Sequence, residues 1–370
     1  MKAQAALTHI RQLCCLGLGS EIIMPALFQS LHDYIPSFQN IFFWVGADGG
    51  YTNIYDENLQ NHLAVVQLHF TEFSDTPKEK ECWPGGLALI RSSLKFVNTA
   101  WYLNKQTMRT EYYNEIFRGL NAHYVIFAKT QEQGRCTGIL GLFRPITDKP
   151  YTHQEERNLR ALMPYIAHSL HRPADPPPSF TDTGEQGLVI MDQSAQVRYL
   201  CPGAHQLLFW ASHAQFSPQY FPTIKANPFP PVLPQLCHNL IAIFQGQAAP
   251  APVLEQQNSW GRFTFRAHWL DPYNHSASSL IGITIRRQEP VALSLARQIQ
   301  HCSLSPKLKD VCLLLAQGHT QQQIAAQMHL SNHTVTGYVR TLYDKLGVHS
   351  REDLLKLLKT QRVSEITRFK

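Results

Sequence analysis

The sequence predicts a multidomain chain, with two α+β modules in series followed by an all-α domain of four helices. Three observations lead there. A proline-rich stretch, with Pro173, Pro176, Pro177 and Pro178 running into Ser, Thr, Asp and Gly up to Gln186, divides the chain near its middle. On both sides of it, apolar runs of strand length alternate with apolar stripes at helical spacing, whereas from Ser303 onward only helix signals remain. The length of 370 residues, 44% hydrophobic and 11% aromatic, suffices for two or three packed cores.

Residues 1–172 read as one module. Leu7, Ile10, Leu13 and Leu16, then Ile22, Ile23, Leu27 and Leu31, predict two helices, and Ile41 to Val45 predicts a strand. Tyr124 to Ala128 and Thr137 to Phe143, separated by a glycine-containing loop at 131–135, predict a hairpin. Thr152 with Glu155 forms a capping box ahead of Leu159, Leu162, Ile166 and Leu170, with Pro164 predicting a kink. The hairpin-then-helix segment, about thirty-five residues, resembles the end of GAF-like sensor domains. That resemblance implies a sensor or dimerisation module, with room for a small-molecule effector between sheet and helices.

Residues 173–186 are expected to be an extended linker, because prolines and turn formers support neither ladder nor helix. Residues 187–288 start a second module: strand Gly187 to Met191, turn Asp192 to Gln196, strand Val197 to Cys201, and a helix from Pro202. Val232 to Phe244 predicts a helix, and Arg262 to Leu270 and Leu280 to Arg286 predict two strands. This order resembles a PAS domain. The six prolines of Pro218 to Pro234 predict a loop where a pocket wall would stand. A connector helix is expected over 289–302, with a stripe of Val291, Leu295, Ile299 and Cys302.

The last domain, 303–363, is delimited by its caps. Ser305-Pro306 opens a helix that Gly318 ends; Thr320 and Gln323 make a capping box; Ser331 caps a third helix that stops at Gly347; Ser350 caps a fourth. The short connection His329-Leu330-Ser331 forces the second and third helices to cross steeply, a helix-turn-helix spanning about 321–340. Val335, Val339, Leu342 and Leu346 form the buried stripe of the third helix.

Pro306, Ala316 to Gly318, Ile324-Ala325, Leu330-Ser331, Thr334-Val335 and Lys345-Leu346-Gly347-Val348 resemble the LuxR-type helix-turn-helix over about fifty-five residues. The chain departs from that pattern at Thr336, where many relatives carry Lys, and at Gly337-Tyr338, where larger polar residues and His are usual. The resemblance implies a sequence-specific transcriptional regulator that binds double-stranded DNA. Thr336, Gly337 and Arg340 are expected at base edges, and Thr320, Ser331, Thr334, Tyr338 and Lys345 at phosphates. Asn332, His333 and Val335 complete the expected DNA-binding set. The resemblance also implies a homodimer through the fourth helix, with Leu354, Leu357 and Leu358 as its surface, on a two-fold operator.

Charge supports a nucleic-acid partner. From residue 303 onward, ten Lys and Arg face five Asp and Glu, so the last fifth of the chain holds +5 of the total +6. No leader peptide or long apolar span is legible, which places the expected protein in the cytoplasm, away from membranes. Eight scattered cysteines without C-x-x-C, and histidines without metal spacing, predict buried thiols and no metal or cofactor. No Walker A, G-x-S-x-G, H-E-x-x-H or dinucleotide motif is found, so no catalytic residue or enzymatic role is expected. Paired acidic residues of a phosphate-receiving domain are missing, and Trp101-Tyr102 lacks the W-x-x-x-Y spacing of acyl-homoserine-lactone receptors. The competing reading is a ligand-binding or protein-interaction module whose helix-turn-helix does not function.

Overall fold

The computed structural model describes residues 2–171, 179–217, 230–273 and 278–366. The chain opens with two antiparallel helices, α1 (Lys2–Cys14) and α2 (Ser20–Tyr34), followed by strands β1 (Gln39–Val45) and β2 (Tyr51–Asp56). α3 (Leu59–Leu68) passes into a π-helical turn, His69–Phe73; two short helices, α4 (Pro77–Lys80) and α5 (Gly86–Arg91), and strand β3 (Phe96–Asn98) follow. A second π-helical turn, Tyr113–Phe117, leads into β4 (Tyr124–Glu132), β5 (Arg135–Arg144) and α6 (His153–Ser169).

The first sheet is antiparallel, in the order β2-β1-β5-β4-β3. Both of its faces are covered. Phe42, Trp44, Ile126, Leu140 and Leu142 face α1, α2 and α6, while Ile41, Phe127, Ile139 and Phe143 face α3 and the π-helical turns. This explains the unbroken apolar run at residues 41–45, since a strand buried on both sides loses the polar alternation of a half-exposed one. The predicted hairpin is present, but its strands run further and its turn is only Gln133-Gly134, at φ of 47° and 82°. Two consecutive left-handed residues match the twist of a two-residue hairpin. The Thr152 capping box opens α6, and Pro164 lies within it.

The second sheet has the same order, β7-β6-β10-β9-β8, built from β6 (Phe180–Met191), β7 (Val197–Leu200), β8 (Val253–Asn258), β9 (Gly261–Leu270) and β10 (Leu280–Pro290). Helices α7 (Pro202–Ser212) and α8 (Val232–Phe244) cover one face, over Val189, Met191, Phe263, Phe265, Ile281, Ile283 and Ile285. The other face, with Leu188, Tyr199, Arg266 and Thr284, is open.

Two corrections follow. β6 starts at Phe180, seven residues before the expected strand, because Phe180 to Gln186 pair with Pro290 to Arg286 of β10. Polar residues serve here since one face of this sheet meets solvent. The proline-rich loop expected to reach Pro234 ends sooner, because α8 starts at Val232 and takes Pro234 into its first turn, where no N–H is needed. Residues 172–178 and 218–229 of those two segments lie outside the described residues.

Trp260 joins the two sheet modules. It is fully buried, stacks on Trp210 at 5.7 Å, and meets Trp44 and Tyr55 of the first module at 6.0 and 6.1 Å. Arg287 lies over Trp210 and donates to Trp260 O (2.7 Å) and to Ile22 O (3.3 Å). Such a buried guanidinium ties a backbone carbonyl of each module to one side chain.

After β10 comes α9 (Val291–His301), then α10 (Pro306–Gln317), α11 (Gln321–Gln327), α12 (Asn332–Leu346) and α13 (Arg351–Ile366). The predicted connector is thus a helix, but its buried side, Leu293, Leu295, Ala296 and Ile299, is wider than one stripe. It packs on α1 to one side and on α10 and α13 to the other. One apolar core consequently runs from α1 and α2 through α9 into the C-terminal helices. Among the described residues no helix is long and apolar enough to cross a membrane.

Candidate nucleic-acid interface

The four C-terminal helices start and stop where local chemistry dictates. Pro306 occupies the first turn of α10 and Gly318 ends it at φ 101°; Gly347 ends α12 at φ 64°. At Thr320 the capping box is complete, its hydroxyl accepting from Gln323 N while the Gln323 side chain accepts from Thr320 N. Ser331 accepts from Thr334 N (3.1 Å) and shares a 2.7 Å hydrogen bond with the Thr334 hydroxyl. Ser350 does the same at the start of α13, accepting from Asp353 N at 3.0 Å.

The turn between α11 and α12 closes through His329, which adopts the left-handed region at φ 53°. Its amide and that of Leu330 return to Ala326 O (3.3 Å) and Ala325 O (2.9 Å). Helices commonly end this way, though usually on glycine.

α12 presents two unlike faces. Val335, Val339 and Leu342 are buried against α10 and α11, with Leu346 half-buried behind them. On the outer side Asn332, His333, Thr336, Gly337 and Arg340 are exposed, Lys345 is exposed near the C-terminal end, and Tyr338 and Thr334 are half-buried. Arg340 and Lys345 make no hydrogen bond or ion pair among the described residues. Nothing lies within 4 Å of where a Cβ on Gly337 would stand, so the fold itself does not require glycine there.

Three sequence expectations change. Val335 is fully buried, so it supports α12 from beneath and is not part of its outer surface. Leu354 and Leu358 are also fully buried, packed within this chain's own core, where α13 meets α9 and α10. As a dimer surface they are unavailable in this arrangement; Leu357 is half-buried. An apolar stripe reveals that a helix packs, not against which chain. Lys309, one of the ten basic residues, is buried and donates to Gln300 O at 2.8 Å, so its charge serves the α9–α10 joint.

Sequence reasoning missed Gln321. Its side chain extends from the first turn of α11 to α12, where its Oε1 lies 2.7 Å from the Thr336 hydroxyl. No local signal marks this contact, because it joins residues fifteen apart across the turn.

Away from these helices, the first module holds an apolar cavity of about 50 Å³ between its sheet and the two π-helical turns. His69 and Phe70 come from one turn, Ile116 and Phe117 from the other, with Trp83 and Tyr51 opposite. Burial lowers the His69 pKa to about 4, so its imidazole is neutral near pH 7. Trp83 Nε1 donates to Tyr112 Oη (3.4 Å), which lies 3.3 Å from His69 Nδ1. Among the described residues the Tyr51 hydroxyl has no hydrogen-bond partner.

Residues 302–358 match the family model GerE, described as bacterial regulatory proteins of the luxR family. No curated protein matches the chain. Among solved structures it is similar to a phage VqmA–DPO complex, at 16% identity over 48% of this chain and 82% of that one, with a TM-score of 0.18. It is also similar to the VqmA dimer of Vibrio cholerae, presented as a LuxR-type receptor in the absence of target DNA, at 17% identity over 47% and 82%, with a TM-score of 0.16. A third, the E. coli DhaR(N)–DhaL complex, gives 13% identity over 77% and 90% and a TM-score of 0.24. The assignment rests on the family match, which covers α10, α11, α12 and the first half of α13: positions 302–358 are a DNA-binding domain of the luxR family of bacterial regulatory proteins.

Proposed function

We propose that the chain is a sequence-specific transcriptional regulator that inserts α12 into the major groove of double-stranded DNA. The observation that carries this reading is the exposed polar face of α12, with Arg340 and Thr336, backed by the buried Val335, Val339 and Leu342. A surface of that composition suits base edges, and small residues let the backbone come close. Arg340 reads a base, guanine being the best match for its fork, while Lys345 and the Thr334 and Tyr338 hydroxyls contact phosphates. Asn332 and His333, at the exposed start of α12, flank the groove. Thr320 and Ser331 already use their hydroxyls as caps, so their main contribution is to hold the two helices in place.

The two sheet modules are read as GAF-like and PAS-like sensors, a reading supported by their common strand order. The cavity bounded by the π-helical turns is where a small effector would enter the first of them; such turns often mark functional positions. The regulator acts in the cytoplasm as a homodimer on a two-fold site, through a surface other than Leu354 and Leu358 in the present arrangement.

Genomic fragments retained by the purified protein test the central claim. Recovery of a shared motif, with affinity falling steeply as salt rises from about 50 to 200 mM, is expected for a protein that neutralises several phosphates. Retention of no fragment at low salt would reject it in favour of a sensor or interaction module.

A further inference from the structure

A cleft of about 320 Å³ lies where three parts of the chain meet: α2 and β2 of the first module, β6, α7 and β10 of the second, and α9. We propose that it binds a small uncharged molecule, one ring in size, that offers an acceptor oxygen such as an amide or ketone carbonyl. The cleft shares no lining residue with the cavity of the first module, and its occupancy does not depend on the DNA-binding reading. Its volume falls within the range of about 300–1,000 Å³ typical of small-molecule sites, which favour the interfaces between domains. An apolar cavity of about 150 Å³ holds one benzene ring, so there is room here for a ring with a polar substituent.

Tyr55 sets the chemistry. It is only 5% exposed, and its ring is held by Phe28 at 5.1 Å, Trp210 at 6.0 Å and Trp260 at 6.1 Å. Its hydroxyl has no hydrogen-bond partner among the described residues, although buried hydroxyls rarely lack one. Packed among three rings, it cannot swing away to find a partner, so one has to come to it in the cleft it lines. Arg287, on the same wall, gives N–H groups to Trp260 O, Ile22 O and Glu185 Oε2, which leaves part of its guanidinium fork uncommitted. An acceptor oxygen suits both groups.

The charges around the cleft disfavour an ionic ligand. Glu57 lies 2.9 Å from His32 Nε2 and accepts from Asn40 N at 2.6 Å, Glu185 pairs with Arg287 at 3.4 Å, and Arg297 pairs with Glu289 at 3.0 Å. A carboxylate or an ammonium would have to break one of these pairs to gain a counter-charge, after shedding its own water. The Tyr55 hydroxyl also stays protonated, its pKa raised first by burial and then by Glu57 and Glu185. Ile22, Pro25, Trp210 and Leu293 supply apolar wall for the ring. Because the walls belong to both modules and to α9, an occupied cleft favours the arrangement in which they are docked.

Three one-ring compounds of matched size test this on the full chain by saturation-transfer NMR: benzamide, benzoate and benzylamine. Benzamide is expected to bind more tightly than either ion, by about tenfold or more. Tyr55→Phe, which keeps the ring and removes the hydroxyl, should weaken benzamide by about 2- to 12-fold. Gln29→Trp, at an exposed position on the rim of the cleft, should obstruct its mouth and weaken benzamide likewise, with the melting temperature unchanged. The inference is overturned if none of the three compounds binds, if benzoate or benzylamine binds as tightly as benzamide, or if benzamide is indifferent to both substitutions. A melting curve for each variant separates lost binding from lost folding. No DNA enters the assay, so its failure leaves the regulator reading standing.

Discussion

Gln12 of α1 donates a 2.8 Å hydrogen bond from Nε2 to Oδ1 of Asp310 in α10, tying the first helix of the chain to the first helix of the DNA-binding domain. Gln300 in α9 reinforces the joint by donating to Ala5 O at 3.0 Å. Gln12 is buried, and Asp310 carries a pKa raised by burial, so neither side chain is well hydrated in the docked arrangement. Gln12→Ala should therefore destabilise the joint by about 1–3 kcal/mol, the usual effect of leaving a buried acceptor unpaired. Hydrogen exchange checks it: faster exchange is expected in α1 and α10, with the sheet cores unchanged. Uniform exchange rates across wild type and variant would show that the bond contributes nothing.

The same joint titrates. His9 faces it from α1 with a pKa lowered to about 4, first by burial and then by Arg297, Lys309 and His301. A histidine whose folded pKa lies below its unfolded value of 6.5 binds fewer protons when folded. Its contribution is therefore neutral above pH 6.5, and stability falls as pH drops from 6.5 toward 4, by about 3 kcal/mol at 1.36 kcal/mol per unit. Asp310 works in the opposite sense, since its raised pKa favours the folded chain as it protonates. His69, buried with a pKa of about 4, adds to the loss from another site. The difference between wild type and His9→Phe isolates the first group: the wild-type denaturant midpoint should fall relative to that of the variant as pH drops from 6.5 to 4. Parallel curves would remove His9 from the account.

The aromatic junction gives a larger effect. Trp260→Ala removes the one ring that meets Trp44, Tyr55 and Trp210 together, and should cost about 3–5 kcal/mol, the range for deleting a buried aromatic. Because the ring belongs to both modules, the two sheets are expected to melt in separate steps in the variant. Calorimetry decides between one transition and two.

What the sequence made legible was what is decided locally. Pro306, the Thr320–Gln323 pair, Ser331 and Gly347 set helix limits through contacts within four residues, and each stands where the spacing placed it. Phe180 to Gly184 could not be read as a strand, because its partner is β10, about a hundred residues away. Tyr51 to Asp56 escaped for a related reason: Asn53 and Asp56 are buried polar residues whose oxygens are met by Phe216 N, and by His62 and Asn58 N, partners that the strand itself does not reveal. Leu354 and Leu358 were legible as a packing stripe, while the identity of the partner, α9 and α10 of the same chain, was not. Gln321 belongs with these, since its reach to Thr336 is a product of the crossing angle of two helices.

On the proposed reading, Arg340 and Lys345 separate two kinds of DNA contact. Both are exposed on α12, Arg340 on the outer face of its middle turns and Lys345 in its last turn. Arg340→Ala should reduce binding to the selected site by about 1–3 kcal/mol and relax one base position, with little change on random DNA. Lys345→Ala should weaken all sequences alike and lower the slope of log affinity against log salt by about one. Binding titrations on the selected duplex and a scrambled one, at several salt concentrations, distinguish these outcomes; an equal loss for Arg340→Ala on both duplexes would place it on a phosphate.

Gly337 provides a case where stability and function should move in opposite directions. A glycine inside a helix costs about 1 kcal/mol relative to alanine, because it loses more backbone freedom on folding. Within the fold nothing stands within 4 Å of the position its Cβ would take, so Gly337→Ala introduces no clash and should stabilise the domain by about 1 kcal/mol. Glycine at an exposed position that the protein does not need is accounted for if a DNA backbone or base edge approaches α12 closely there. The same substitution is then expected to reduce affinity for the selected duplex while the melting temperature rises. Measuring both on one preparation settles the matter: a rise in stability with unchanged affinity would show that α12 meets its partner elsewhere, along Arg340 and Lys345 rather than over Gly337.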